Sequence, residues 1–358
     1  MAFAKRPEQP KEPNLVIETP QGNEARFKAL LSLGKKLNTK YETTNALVRL
    51  GDKVGNLLPS ISTGLPTFDY GVIGTGGIPK GRMIEIFGPE SAGKTSFTLH
   101  VVAECQKAGG IAAFIDAEHA LDPSWASTLG VDVDKLVVSQ PDSGEQALDT
   151  VDELVESQAV DLVVIDSVSA LVPEAELAGE IGDAHVGLQA RLLSQAMRIL
   201  TGKCARNEVT VIWVNQIREK IGVLYGNPET TSGGRALKFY SSIRIDVRRK
   251  EKIKQGNDLI GHSICLKAQK NKCGVPFKET LVNLFYASGF DKEGSLIEYG
   301  DTLGIFEKKG SWFVIDGVNV ANGLPAMKAL LKNDPEALAK VKVAVEDKLA
   351  EERAKTEI

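Results

Sequence analysis

The sequence contains no apolar run near the roughly 18 residues a bilayer-spanning helix needs. Its opening stretch, MAFAKRPEQPKEPN, has none of the apolar h-region of a secretory signal. Cysteine is scarce: Cys105, Cys204, Cys265 and Cys273 form no C-x-x-C pair, and no histidine cluster accompanies them. That spacing offers no zinc site and suits a reducing compartment. The expectation is a cytoplasmic protein with no membrane contact. Internal repeats are absent. Bulk positive charge is also missing, since the formal net charge is -4. Taken alone, that argues against a nucleic-acid binder. The local distribution runs the other way at Arg244, Arg248, Arg249, Lys250, Lys252 and Lys254, with Lys267, Lys270 and Lys272 close behind. A solvated strand edge accounts for such a run as readily as a ligand site.

What is present is an ordinary globular composition: 358 residues, 42% of them hydrophobic and 25% charged, enough for one large domain and one or two small ones. Residues 1 to 22 are proline- and charge-rich and read as a disordered arm. An amphipathic helix is expected over 23–38, with Phe27, Leu30, Leu31 and Leu33 apolar; it needs a partner surface. Short runs that are apolar on both faces, at 83–87, 111–116, 161–167 and 209–215, read as buried parallel strands. Helices are expected between them, at 94–108, 144–157 and 187–203. The βαβα order implies an α/β fold with a mostly parallel central sheet. Strands at 241–249, 262–270 and 279–287 follow without intervening helices and read as an antiparallel extension. Beyond residue 291 the pattern becomes a small α+β lobe, ending in a helix at 335–353. Three regions result: 1–55 as N-terminal arm and helix, 56–290 as the core, and 291–358 as the C-terminal lobe.

The segment Gly88, Pro89, Glu90, Ser91, Ala92, Gly93, Lys94, Thr95 fits G-x-x-x-x-G-K-[ST] in full, with a strand before it and a helix after. The glycines let backbone N–H groups turn inward as an anion nest at a helix N-terminus. Lys94 would reach the β- and γ-phosphates of a nucleotide, and Thr95 would place its hydroxyl on Mg²⁺. Asp166 ends the buried run LVVID and supplies the acidic residue that orders Mg²⁺. Glu118 lies just past the strand at 111–116, where an open α/β sheet presents its ligand crevice. It is placed to orient or deprotonate an attacking water. Nothing marks its neighbour His119 as the base.

These residues sit in stretches that closely resemble the bacterial RecA family: GRMIEIFGPESAGKT, FIDAEHALDPSWASTLGV, NQIREKIGVLYGNPETTSGGRALKFY and KNKCGVPFK among them. The resemblance covers roughly residues 60 to 290. It implies a RecA-type P-loop ATPase core and a recombinase that forms a helical filament on single-stranded DNA. Such a protein uses ATP and Mg²⁺, pairs single-stranded with double-stranded DNA and exchanges strands in recombinational repair. It further implies that Glu118 is the catalytic glutamate and that Asp122 and Trp125 meet the adenine, where the family's usual aromatic is tyrosine. Gln216 matches the residue that senses the γ-phosphate. Lys270 and Lys272 match lysines that reach a neighbouring subunit's ATP, so nucleotide binding and self-association become linked. Read without the resemblance, that lysine pair is a solvated strand edge.

The same resemblance places DNA-binding loops at about 179–186 and 217–232. Arg191, Arg218 and Lys220 would pair with phosphates, with Gly233 and Gly234 beside them. Val186 and Ile221 would wedge between bases, and Tyr225 keeps an aromatic. Such chemistry is independent of base sequence. Activation of LexA-type repressor self-cleavage, the SOS response, is a further implied role. The family pattern departs at both ends: a longer arm with NTKYETTNALVRL, and a C-terminus EDKLAEERAKTEI without a strongly acidic tail. Those departures would suit a divergent or phage-encoded member and put tail-mediated autoinhibition in doubt. A hexameric helicase shares the core fold but predicts an arginine finger and a linker helix that this sequence does not display.

Overall fold

A computed structural model of the chain describes residues 22–41, 47, 58–180, 187–219, 228–315 and 317–356. Residues through Leu57 and residues from Leu58 onward form two units. The first contains α1 (Asn23–Lys40), two residues longer than the sequence pattern predicts, with Phe27, Leu30, Leu31 and Leu33 all exposed.

The second unit opens with a small antiparallel pair, β1 (Ser60–Ile61) and β2 (Ile78–Pro79), flanking a π-helical turn at Thr67–Ile73. Then come β3 (Met83–Gly88), α2 (Lys94–Lys107), β4 (Ala112–Asp116), α3 (Pro123–Thr128), β5 (Val137–Ser139), α4 (Gly144–Ser157) and β6 (Leu162–Asp166). The short α5 (Glu174–Leu177) precedes α6 (Leu188–Asn207), β7 (Thr210–Glu219), β8 (Glu229–Thr231) and α7 (Ala236–Tyr240). Three strands complete the antiparallel extension, β9 (Ile243–Gln255), β10 (Asp258–Asn271) and β11 (Glu279–Phe285), followed by the short β12 (Gly289–Phe290). The C-terminal part holds α8 (Lys292–Thr302), the three-stranded sheet β13 (Glu307–Lys309), β14 (Trp312–Ile315) and β15 (Val318–Asn322), then α9 (Leu324–Asn333) and α10 (Pro335–Thr356).

The main sheet runs β12-β11-β10-β9-β3-β7-β6-β4-β5, with β8 paired to β7. Its members from β9 to β5 are parallel neighbours; the βαβα order implied this for β3, β4, β6 and β7, whereas β9, expected in the antiparallel extension, pairs parallel with β3 and antiparallel only with β10. Alternation along the buried strands explains why both faces are covered. Phe114, Leu162, Val164, Ile212 and Ile84 face one core, packed with Phe97, Leu99 and Phe68. Their neighbours Ala113, Ile115, Val163, Val211 and Trp213 face a second core with Val151, Leu193 and Met197. A side-chain period of two forces this division, and strands buried on both faces must be apolar throughout. The C-terminal part has its own apolar cluster, including Phe306, Phe313, Met327 and Val341. Among the described residues no helix is long and apolar enough to cross a membrane.

Several elements lay beyond the sequence reading: the π-helical turn, β5, α3, α8 and α9. The turn is anchored by Asp69, only 1% exposed, which accepts hydrogen bonds from the Thr63 N–H (2.9 Å), the Thr63 hydroxyl (2.6 Å) and the Ser62 hydroxyl (2.8 Å). Burial dominates those donors and pushes its carboxyl up to about 7. Between its ordinary value of 3.8 and about 7 the folded chain therefore holds a proton that the unfolded chain releases. The resulting stability is fully present below the unfolded value and is lost as pH rises through about 7, a swing on the order of 2–4 kcal/mol. Denaturant midpoints measured at pH 5 and pH 8 are expected to show this loss in the native sequence and a much smaller one in Asp69→Asn.

Candidate nucleotide site and DNA-facing edge

The site grows from the carboxyl ends of the parallel strands, where helix N-termini and turns leave backbone N–H groups free to meet a ligand. After β3 the chain turns through Gly88–Gly93 into α2. Ser91 (φ 56°) and Gly93 (φ 98°) adopt left-handed backbone, which curls the loop around its own N–H groups. A side chain cannot replace either terminal glycine cleanly. A Cβ on Gly88 would collide with the Val247 carbonyl, and one on Gly93 would sit 2.7 Å from the Ile264 side chain. Lys94 lies inside the loop, 8% exposed, and its Nζ donates to the carbonyls of Pro89 (2.7 Å) and Gly88 (3.2 Å). Burial lowers its pKa, while Asp166, Glu118 and Glu90 pull the other way.

The first turn of α2 brings Thr95 to Asp166 at the end of β6: the Thr95 hydroxyl donates to Asp166 Oδ2 at 2.6 Å. Asp166 is raised to about 6, chiefly by burial. A serine-type hydroxyl beside one buried carboxylate is the hard-oxygen donor set that Mg²⁺ takes from protein when phosphates and water fill its other positions. Glu118 is exposed on the turn after β4. Asp116 fixes that turn by accepting from the N–H groups of Ala120 (3.1 Å) and Leu121 (3.2 Å) and from Gln140 Nε2 (2.9 Å). The Asp166 carbonyl accepts the Ala117 N–H at 2.9 Å. One oxygen of Glu118 accepts from the Ser167 hydroxyl and from Gln216 Nε2, the latter at 2.9 Å. So four residues singled out in the sequence, Thr95, Asp166, Glu118 and Gln216, are brought to one edge. Sequence reasoning missed Ser167, though its position directly after Asp166 was the available signal.

Asp122 and Trp125 lie on the next turn. Asp122 caps α3 by accepting the Ser124 N–H at 2.8 Å, and the Trp125 indole donates to Ser96 Oγ at 3.1 Å, just beyond the phosphate loop. Lys270, near the end of β10, and Lys272, just past it, stand apart from this cluster. Their Nζ atoms donate to carbonyls at the end of α7: Lys270 to Lys238 (2.6 Å) and Phe239 (3.0 Å), and Lys272 to Phe239 (3.3 Å).

The flanks of the two expected DNA loops converge. Gln189 Nε2 donates to the carbonyls of Val168 (2.9 Å) and Leu171 (3.0 Å), pinning the start of α6 beside the end of β6. Gly233 and Gly234, at φ 77° and 79°, lie against Leu193 and Ala190 of the same helix. Arg191 is exposed on that helix's first turn, and Arg218 is exposed near the end of β7. The second loop starts later than the sequence implied. Ile217–Glu219 and Glu229–Thr231 pair as an antiparallel hairpin base. Val186, Lys220, Ile221 and Tyr225 lie outside the described residues. The basic run is less available than its composition suggested, because Arg244 is paired with Glu85, and Arg248 with Glu229 (2.6 Å) and Asp246 (2.6 Å).

A glycine-rich loop between a buried strand and a helix, with an acid at the end of an adjacent strand, defines a phosphate-loop nucleotide-binding protein of the α/β class. Residues 28–291 match the RecA N-terminal domain and residues 294–350 the RecA C-terminal domain. Protein RecA of Mesomycoplasma hyopneumoniae (strain 7448) is 49% identical over 333 residues, covering 90% of this chain and 99% of that protein. Protein RecA of Rubrobacter xylanophilus is 51% identical over 315 residues, covering 87% and 91%. Protein RecA of Staphylococcus aureus (strain JH9) is 50% identical over 324 residues, covering 90% and 93%. The chain belongs to the RecA family, the DNA-dependent ATPases of recombination and DNA repair, whose members bind nucleotide and DNA and self-associate into filaments.

Gly93 gives the sharpest local check on the loop. Gly93→Ala is expected to destabilise the protein by about 1–3 kcal/mol, from left-handed strain and the clash with Ile264. Titration with a fluorescent nucleotide should weaken in parallel, because the left-handed backbone at Gly93 that shapes the loop becomes strained.

Proposed function

We propose that the chain hydrolyses ATP at the edge formed by Gly88–Thr95, Asp166, Glu118 and Gln216, and that the nucleotide lies between two subunits of a filament on single-stranded DNA. Lys94 is assigned to the β- and γ-phosphates, Thr95 and Asp166 to Mg²⁺, and Asp122 and Trp125 to the adenine. The bound Mg²⁺ would neutralise charge on the phosphate oxygens. Glu118 orients the attacking water and accepts its proton. Gln216 exchanges its hydrogen bond with Glu118 for one to the γ-phosphate and passes that change along the end of β7, through the paired Ile217–Glu219, into the second DNA loop. Lys270 and Lys272 leave their α7 carbonyls and stabilise the transferring phosphoryl group of the neighbouring subunit.

Arg191, Arg218 and Lys220, with the backbone of Gly233 and Gly234, hold phosphates of single-stranded DNA, while Val186 and Ile221 separate bases. Few cations act per subunit, so affinity accumulates along the strand and falls steeply with salt. Base edges stay free to pair with double-stranded DNA. The setting is the cytoplasm, where the cysteines persist as thiols. The same filament also promotes self-cleavage of a LexA-type repressor; incubating repressor with the assembled filament and finding no cleavage would remove that role alone.

The observation carrying this reading is the 2.9 Å contact between Gln216 and Glu118, which ties the hydrolytic carboxylate to the strand that enters the DNA loop. Lys94→Ala is expected to abolish ATP-dependent binding to single-stranded DNA. Glu118→Ala should bind ATP and DNA as the native chain does and lower DNA-stimulated hydrolysis by at least about 100-fold. Phosphate release and DNA anisotropy measure the two separately, and normal turnover in Glu118→Ala refutes its assignment.

A further inference from the structure

Glu85 is a carboxylate in a place that tolerates few. It sits in the middle of β3, in the apolar run MIEIF, and is 0% exposed. A charge there must be matched by donors or it costs several kcal/mol. Two neighbouring strands supply them. From β7, Asn215 Nδ2 donates to Glu85 Oε1 at 3.0 Å. From β9, Arg244 Nε donates to Glu85 Oε2 at 2.5 Å, and its guanidinium lies 4.4 Å over the Phe87 ring.

Each partner leads to a part of the proposed machinery. Asn215 is fully buried and branches three ways. Besides holding Glu85, its Nδ2 donates to the Ser232 carbonyl (3.1 Å), on the flank of the second DNA loop, and its Oδ1 accepts the Gln216 N–H (2.9 Å). Arg244 stands directly across the β9–β10 ladder from Lys270. Lys270 is lowered to about 8, first by burial and then by the nearby charges of Lys272 and Arg244, with Glu85 opposing.

We propose that Glu85 is a positioning residue that joins the nucleotide-sensing Gln216 on one side of β3 to the Lys270–Lys272 pair on the other. The proposal rests on the roles given to Gln216 and the lysine pair under Proposed function. A buried, hydrogen-bonded ion pair moves as a unit, because separating its members strands a charge in low dielectric. When Gln216 turns toward phosphate, the Asn215 peptide beside it shifts, and Glu85 and Arg244 follow. Arg244 then changes the field at Lys270. Nucleotide in one site thereby adjusts the lysines offered to the next.

The test uses the full chain with single-stranded oligonucleotide, ATP and a fluorescent ATP analogue. Glu85→Gln keeps the shape and removes the charge. A second variant, Glu85→Met with Arg244→Met, removes the link without leaving a lone buried charge and carries the test should the single variant not fold. Both are expected to bind the analogue without DNA within about twofold of the native chain. On DNA, the native ATP dependence of hydrolysis is expected to be sigmoidal. In the variants the Hill coefficient should fall to about 1 and half-saturating ATP should rise about fivefold or more. Native-like cooperativity in either folded variant overturns the proposal. So does loss of analogue binding, which would place the effect in the phosphate loop, and so does a hyperbolic native curve. Gln216→Ala is measured alongside. If it alone behaves like the native chain, the sensing role fails; if it is impaired while Glu85→Gln is not, only the link through Glu85 fails.

Discussion

The parallel register of β3, β7, β6 and β4 is the constraint on which the rest of the molecule depends. Backbone pairing sets Gly88 beside Gln216, and Asp116 beside Asp166. Those matches bring the phosphate loop, Asp166 (the carboxylate proposed for Mg²⁺), the turn carrying Glu118 and the root of the proposed second DNA loop to one edge. A slip of one residue in any of these strands would turn its side chains to the opposite core. The buried sets on the two faces differ in shape, with Trp213 on one and Phe97 and Phe114 on the other, so that slip is heavily penalised. The precision of the site is therefore inherited from packing that touches no ligand.

Charge is distributed with the same economy. A chain of net charge -4 cannot hold DNA by bulk attraction, and part of its most basic segment is committed internally. Arg244 neutralises Glu85, and Arg248 is shared by Glu229 and Asp246. The exposed cations at Arg191 and Arg218 instead flank loops whose edges lie together against α6. If these residues grip DNA as proposed, a weak grip repeated by every subunit would hold a strand tightly as a whole yet leave it free to exchange.

Much of this was legible in the sequence because the signals were local. The phosphate loop is a contiguous motif, the buried strands are continuous apolar runs, and Asp166 ends one of them. The helix at 144–157 has the same bounds in the structure, since Ser143 caps it and accepts the Gln146 N–H at 3.1 Å. Other features depend on partners distant in sequence. Nothing in MIEIF says that Glu85 is matched by Asn215 and Arg244, 130 and 159 residues away. The π-helical turn at Thr67–Ile73 is set by Asp69 and Ser62–Thr63 rather than by periodicity. Basic composition at 244–254 pointed to a free surface because ion pairing across strands leaves no trace in one dimension.

The central claim is that ATP, bound at this edge and completed by a neighbour's lysines, is what joins subunits into a DNA-bound filament. Electron microscopy of the purified chain on single-stranded DNA, with and without a non-hydrolysable ATP analogue, tests it most directly. The account predicts open helical filaments only when nucleotide is present, and their loss in Lys270→Ala/Lys272→Ala. Closed rings, or a chain that stays monomeric with nucleotide and DNA both supplied, would contradict it.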